Sequence, residues 1–478
     1  MLESSQSRIY KMLRLHNTLT KHTEEFIPIT SGKAFMYNCG PTVYDYAHIG
    51  NLRAYVFADI LRRALEWSGL EVTQVINVTD IGHLSGDDAD DSGEDKMTKA
   101  LKRENKPFTL TAMRELANFY FEKFQNDLVA LNILPAEKYP FASDHITEDI
   151  DLISILTEKG YTYPTSDGIY FNTAAYPEYG KLGGGTAGED SRIGTNPEKK
   201  NSRDFALWKF NSELGFDAPF GKGFPGWHIE CSAMALKYLG ETFDIHTGGI
   251  DHIPVHHNNE IAQSECATGK PFAHVWVHSA HVQIEGGKMA KSAQNFLTLN
   301  ALKESGIHPL SYRTFLLQAR YSTQINFTID SVLAAQGGYE KLLHSLASLQ
   351  IESTGKQGIM QDNWLEIFTE KINDDLNTPA ALAIVFDLLN TTGVSAEDKL
   401  ETIFEFDKAL GLDLKKMMQK ISKIPEEISQ QIKEREAAKS ERNFTTSDQI
   451  RENLENKGYK VMDVDKKTLI FRPISALL

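Results

Sequence analysis

The chain has 478 residues, 41% hydrophobic and 24% charged, a length that predicts two to four domains and a composition that excludes a disordered protein. Net charge is −15, which argues against a nucleic-acid binder, but residues 411–478 carry 14 Lys and Arg against 11 Asp and Glu, so that end is net positive. Three cysteines in so long a chain exclude a disulfide scaffold. There is no apolar run of the ~18 residues a membrane helix needs, and the first residues lack the apolar core of a signal peptide. The expectation is a cytoplasmic protein with reduced thiols and no membrane partner.

In chain order, AFMYN at 34–38 reads as a strand, closed by the turn signal Cys39-Gly40-Pro41. A helix is predicted over 51–67, with Leu52, Val56, Ile60 and Leu61 on one side and Ser68-Gly69 as its stop. Residues 71–78, EVTQVINV, read as a second strand, parallel to the first if the helix is a crossover. This unit predicts an α/β fold on a Rossmann-like doubly wound parallel sheet. Residues 82–97 read as an acidic loop and 105–132 as a helix. The stretch 135–222 has shorter elements, many Gly and Pro, and the loop KLGGGTAGEDSRIG, as expected of an insertion. Strand signals return at 243–246 and 274–278, around a helix at 258–266. From 301 onward the pattern is helical, ending in a small hairpin over 461–472 that turns at Asp465-Lys466-Lys467.

Three groups of residues carry chemistry. His48-Ile49-Gly50-Asn51 falls where the first strand hands over to the first helix. Free backbone N–H groups and the positive helix end make such a junction a phosphate site, and Gly50 lets the backbone approach a ligand. His48 and Asn51 can donate into the same space; the four residues also read as a plain capped helix start. Lys288-Met289-Ala290-Lys291-Ser292 follows Gly286-Gly287. Two lysines three apart there suit a clamp on a triphosphate, or an ordinary basic loop. The third group has metal-type side chains: Cys39 at a strand end, Cys231 in GWHIEC, and His256 and Glu260 at i and i+4 in HHNNE. Two thiolates, an imidazole and a carboxylate suit one tetrahedral zinc ion. His257 can replace His256 at i,i+3, and His252 is a rival ligand. Cys266 reads as a packing residue.

Together, and in this order, these motifs resemble the cysteinyl-tRNA synthetases, a family of class I aminoacyl-tRNA synthetases. HIGN matches the HIGH signature and KMAKS the KMSKS loop. CGPTVYD, GWHIEC and GG-x-D…HH-x-NEIAQ match the cysteine-specific blocks. DDLNTPAALA near Asp374 and the ending RNFTTSDQIRENLENKGYKV extend the likeness from about residue 10 to the C-terminus. The sequence departs from the family pattern at Ala290, where Ser is usual, at Asn258, where Glu is usual, and at IPVHH in place of FPHH.

The resemblance implies a class I synthetase fold with catalytic halves at 1–125 and 223–330 and a connective insertion at 126–222. A helical bundle at 331–410 and an anticodon-binding end at 411–478 follow. It implies one Zn2+ on Cys39, Cys231, His256 and Glu260 that binds the substrate thiolate, a discrimination against serine that a hydrophobic pocket performs poorly. ATP would arrive with Mg2+, L-cysteine would become cysteinyl-adenylate, and tRNA-Cys would accept it. His48 and Asn51 would contact phosphates, and Lys288 and Lys291 would clamp the β/γ side. Gly249 and Asp251 would hold the ribose, Trp227 and His228 would line the pocket, and Gly40 and Thr79 would lie near the amino acid. The family favours a monomer. Three rival readings have features against them. A cysteine ligase for a small amine does not need the 186 residues after Ser292. A non-catalytic paralogue should have lost HIGN, a lysine or a metal-type residue. A nicotinamide dehydrogenase needs G-x-G-x-x-G after the first strand.

Overall fold

The computed structural model describes residues 12–81, 96–183, 196–284, 287–288, 297–464 and 467–478. Most of the expected acidic loop, most of KLGGGTAGEDSRIG, KMAKS beyond Lys288 (Lys291 included) and part of the last hairpin's turn lie outside these residues.

A hairpin of β1 (Arg14–Asn17) and β2 (His22–Glu25) opens the chain. The expected parallel unit follows as β3 (Lys33–Asn38), α1 (Ile49–Trp67) and β4 (Glu71–Ile76). β3 and β4 pair in parallel from Lys33↔Glu71 to Asn38↔Ile76. The ladder stops two residues short of the predicted strand because Asn77 turns its side chain to the Gly40 N–H (2.7 Å), and Thr79 pairs with Thr42. α2 (Lys96–Arg103) takes over the end of the expected loop, burying Met97, Ala100 and Leu101. α3 (Leu110–Ala130) then runs through the expected domain edge at residue 125. Residues 138–141 still bridge to the parallel sheet, at Val75↔Lys138 and Val78↔Phe141.

The insertion comprises α4 (Ile146–Glu158) and an antiparallel sheet of β5 (Thr162–Thr165), β6 (Gly168–Phe171), β7 (Phe205–Phe210) and β8 (Gly223–Pro225), in that order. α5 (Trp227–Leu239), β9 (Phe243–Gly249), α6 (His256–Thr268) and β10 (Ala273–Ser279) return to the parallel sheet, whose order is β10-β9-β3-β4. The chain therefore moves outward from β3 to β4 and comes back on the other side as β9. Loops part at the C-terminal ends of β3 and β9, the place where open α/β sheets bind ligands.

A small sheet follows, with β11 (Val282–Ile284) between β12 (Gly287–Lys288) and β13 (Ile325–Phe327); α7 (Leu299–Glu304) and α8 (Pro309–Leu317) precede β13. α9 (Ile329–Glu352), α10 (Asp362–Ile372), α11 (Thr378–Asn390), α12 (Ala396–Leu410) and α13 (Leu414–Ser422) make a helical bundle. α14 (Glu426–Ser440), α15 (Phe444–Asn456) and the hairpin β14 (Lys460–Val464) and β15 (Lys467–Phe471) close the chain.

One apolar core runs from the parallel sheet through α1 into the bundle. α1 lies between the sheet and helices α8 and α12, so it is buried beyond the single apolar side its sequence predicts, and Arg53, Asp59 and Arg63 are buried with it. Among the described residues no helix is long and apolar enough to cross a membrane.

Candidate metal centre and adenylation site

Cys39 closes β3, Cys231 stands on the first turns of α5, and His256 and Glu260 stand one turn apart on α6. Their donor atoms all lie within 4.8 Å of one another. A second set, Cys39, His246, His257 and Glu260, meets the same condition and shares two members with the first. His256 Nε2 is 3.0 Å from Glu260 Oε1, and its Nδ1 is 2.8 Å from His228 Nδ1. His246 Nε2 lies 2.8 Å from the other Glu260 oxygen. His257 Nε2 meets Cys39 Sγ at 3.2 Å, its Nδ1 meets His278 Nε2 at 2.7 Å, and His278 Nδ1 meets Thr18 Oγ1 at 2.7 Å. His246 and His278 escaped sequence reasoning; the available signal was a histidine closing each of two strand segments, FDIH and HVWVH.

Electrostatics favour a cation at this point. A hydrogen bond from Cys39, with help from His256, lowers Cys231 to about 6 against burial. Burial and the same bond push Cys39 up. Burial disfavours charge on His256, yet Glu260 and Cys231 raise it to about 10. Burial disfavours the Glu260 carboxylate, yet His246 and His256 hold it at about 2. Burial and the neighbouring imidazoles keep His228, His257 and His278 neutral. Negative charge is thus favoured on Cys231 and Glu260, beside protons held on His256 and Cys39. A divalent ion that takes the place of those protons fits the donor set, and the sulfur and nitrogen donors fit zinc.

The residues around the cluster are placed as follows. Gly40 donates its N–H to Asn77 Oδ1, so that group is engaged within the protein, and a Cβ on Gly40 would overlap the Asn77 carbonyl oxygen. Gly40→Ala should therefore push the Cys39 turn off β4; the variant is expected to retain less added Zn2+ than wild type after dialysis, and equal retention would show that the turn yields. Thr79 is buried, its N–H on Pro41 O and its hydroxyl accepting from Asn77 Nδ2 at 3.1 Å. Asn77, unforeseen in the sequence, thus ties together the ends of β3 and β4. A Cβ on Gly249 would run into Asp251 Oδ1, and Asp251 lies 3.9 Å from His281 Nε2. The Trp227 ring lies over His256 at 4.2 Å.

At the start of α1, His48 Nδ1 accepts from the Asn51 N–H (3.0 Å) and Asn51 Oδ1 accepts from the His48 N–H (3.3 Å). This capping box satisfies two end groups and fixes where the remaining helix N–H groups point. The Ile49 N–H donates to Leu297 O at 2.8 Å, and His48 forms a bridge with Thr298. The chain leaving KMAKS is thereby tied to HIGN, while the chain entering it runs along β12, where Lys288 pairs with Gln283.

Residues 25–337 match the family tRNA synthetases class I (C) catalytic domain, and residues 367–423 match the DALR domain. The fold is shared with Mycobacterium tuberculosis methionyl-tRNA synthetase solved in complex with methionyl-adenylate, at TM-score 0.55 and 13% identity, over 82% of this chain and 94% of that one. The parallel sheet, together with the family match over residues 25–337, defines a class I aminoacyl-tRNA synthetase. Cysteine–tRNA ligase 1 of Burkholderia lata is 41% identical over 470 residues, spanning 96% of this chain and 97% of the relative. The cysteine–tRNA ligase of Treponema denticola is 40% identical over 494 residues, spanning 95% and 99%. The chain belongs to the cysteinyl-tRNA synthetase family.

Proposed function

We propose that this cysteine–tRNA ligase selects its amino acid at one zinc ion held by Cys39, Cys231, His256 and Glu260, activates it with ATP and Mg2+, and transfers it to tRNA-Cys. The observation that carries the reading is the meeting of two thiols, an imidazole and a carboxylate from separate segments at one buried point by the ends of β3 and β9. Zinc held there would bind a thiolate in preference to a hydroxyl, so the one atom that separates cysteine from serine becomes a difference in coordination.

The chain's own residues supply the rest. A cysteine carboxylate oxygen attacks the α-phosphorus of ATP and pyrophosphate leaves; the terminal ribose hydroxyl of the tRNA then attacks the carbonyl and AMP leaves. No protein nucleophile is needed, so the protein contributes position and charge. The helix start held by His48 and Asn51 faces the phosphates with N–H groups and a positive dipole end. Lys288 and Lys291 clamp the β and γ phosphates. Asp251 accepts from ribose hydroxyls, and Gly249 leaves it room to do so. Trp227 covers the ligand ring of His256, with His228 behind it. Residues 126–222 serve as the connective insertion, 331–410 as the bundle and 411–478, with their positive balance, as the anticodon-binding end. We place the protein in the cytoplasm as a monomer.

Aminoacylation of total tRNA with radiolabelled cysteine tests this reading. Label in acid-precipitable tRNA, uncompeted by excess serine, is the expected result; no charging with tRNA from a matched source would sink it. Lys291→Ala should slow pyrophosphate exchange by about 10²-fold or more while cysteine binding stays near wild type. An unchanged exchange rate would remove that role from Lys291.

A further inference from the structure

Tyr37 lies two residues before Cys39 on β3. The strand's two-residue period puts both side chains on one face, and the Cys39 N–H continues the ladder onto Thr247 O. Tyr37 is fully buried in the apolar cluster that also holds Cys231, its ring 6.4 Å from the Phe243 ring and 5.2 Å from the His246 ring. Its hydroxyl is within interaction range of the Cys231 sulfur and feels the charges of Glu260 and Cys39, yet it forms no well-shaped hydrogen bond with any described residue. A phenol buried this way normally has a partner, because desolvating a hydroxyl without one costs about 1–3 kcal/mol.

The other three assigned ligands each have a supporting group that is not itself in the set. His246 bonds Glu260, His257 bonds Cys39, and His228 bonds His256. Cys231 differs. The donors that reach it, Cys39 and His256, are themselves ligands, so loading the site with metal takes both away. A thiolate in an apolar pocket then lacks a hydrogen bond, and the hydroxyl that faces it lacks an acceptor.

We propose that Tyr37 is a positioning residue whose hydroxyl donates a hydrogen bond to the Cys231 sulfur in the metal-loaded protein, holding that sulfur from the buried side of the cluster. The inference rests on the zinc reading above. Ligand supports of this kind fix geometry and tune donor strength, and their loss typically weakens metal binding about 10–100-fold.

Tyr37→Phe removes the hydroxyl and keeps the ring. The test compares full-length wild-type and Tyr37→Phe proteins loaded with Zn2+, or with Co2+ as a spectroscopic probe. Zinc affinity in competition with a chelator should fall about 10-fold or more, and the sulfur-to-cobalt charge-transfer band should move to lower energy. The unfolding midpoint of the metal-free protein should not fall, because the hydroxyl removed there has no partner to lose. Equal affinity with an unmoved band would overturn the proposal. So would an equal loss of stability in the metal-free and loaded forms, which marks a packing role. A wild-type protein that takes up neither ion fails the zinc reading itself, and that outcome is visible before the variant is made.

Discussion

Replacing Asp59 by alanine is expected to destabilise the protein by about 3–5 kcal/mol, the range for breaking a buried ion pair on one side. Asp59 is fully buried in α1 and stands between two buried guanidinium groups. Its Oδ2 accepts from Arg63 Nε at 2.8 Å and from Arg313 Nη2 at 2.5 Å, and its Oδ1 accepts from the Leu134 N–H at 2.8 Å. The two arginines then reach outward to carbonyls at the ends of two helices. Arg313 bonds Leu131 O and Leu410 O, each at 3.0 Å, and Arg63 bonds Asn132 O at 2.8 Å and Lys408 O at 3.0 Å. The carbonyls of Leu131, Lys408 and Leu410 are unsatisfied C-terminal groups of α3 and α12, and Asn132 directly follows the cap of α3; a cation is favoured there twice over, as donor and as counter-charge to the dipole. One carboxylate thus lets two arginines sit buried side by side and join the catalytic sheet to the bundle. Alanine would leave two like charges facing each other without a counter-ion. Thermal or denaturant unfolding checks this; a change within about 0.5 kcal/mol would mean that water or Asp407 neutralises the pair. The same carboxylate predicts a pH effect. Burial opposes its charge, but Arg313 and Arg63 hold its pKa below the ordinary value. Its contribution is therefore complete above the unfolded value, about pH 4, and is lost as pH falls through the folded one. Asp59→Ala should flatten the acid side of the stability curve below about pH 4.

That network shows which parts of the molecule the sequence discloses. The β3–α1–β4 unit is legible because its signals are local: a short apolar strand, a helical period, and Ser68-Gly69 to stop it. The charges within α1 carry no local sign of burial, yet they meet the bundle, because Arg63 and Arg313 find their acceptors on helix ends more than sixty residues away in sequence. α2 goes unread because only Met97, Ala100 and Leu101 mark its buried side. The four assigned metal ligands are legible because cysteine is rare in this chain and His256 and Glu260 share a helical face. Their supports are not. His246 comes beside Tyr37 only through the parallel register of β9 on β3, a pairing across about two hundred residues of chain. Asn77 likewise gains its meaning only once Gly40 lies across from it.

On the proposed zinc reading, Cys231→Ser is expected to abolish zinc binding and most of the preference for cysteine over serine, and it decides between the two ligand sets. Cys39 and Glu260 belong to both, so variants there weaken either arrangement alike. The sets differ in Cys231 and His256 against His246 and His257. The first offers a second sulfur, the donor that separates zinc from harder ions. In the other set, His246 and His257 are already bonded to Glu260 and Cys39, and His257 is backed by His278. That is the arrangement of groups that orient ligands, with the far nitrogen held in turn. Zinc per chain after dialysis against a chelator should therefore fall from one to near zero in Cys231→Ser. The ratio of kcat/KM for cysteine over serine should fall to about 10² or below, the limit of a pocket that discriminates by shape alone. His257→Gln should weaken zinc binding about 10–100-fold but keep the wild-type preference once zinc is saturating. The opposite pattern, zinc kept in Cys231→Ser and lost in His257→Gln, would place the ion on the second set, with Cys231 left as a packing residue beneath it.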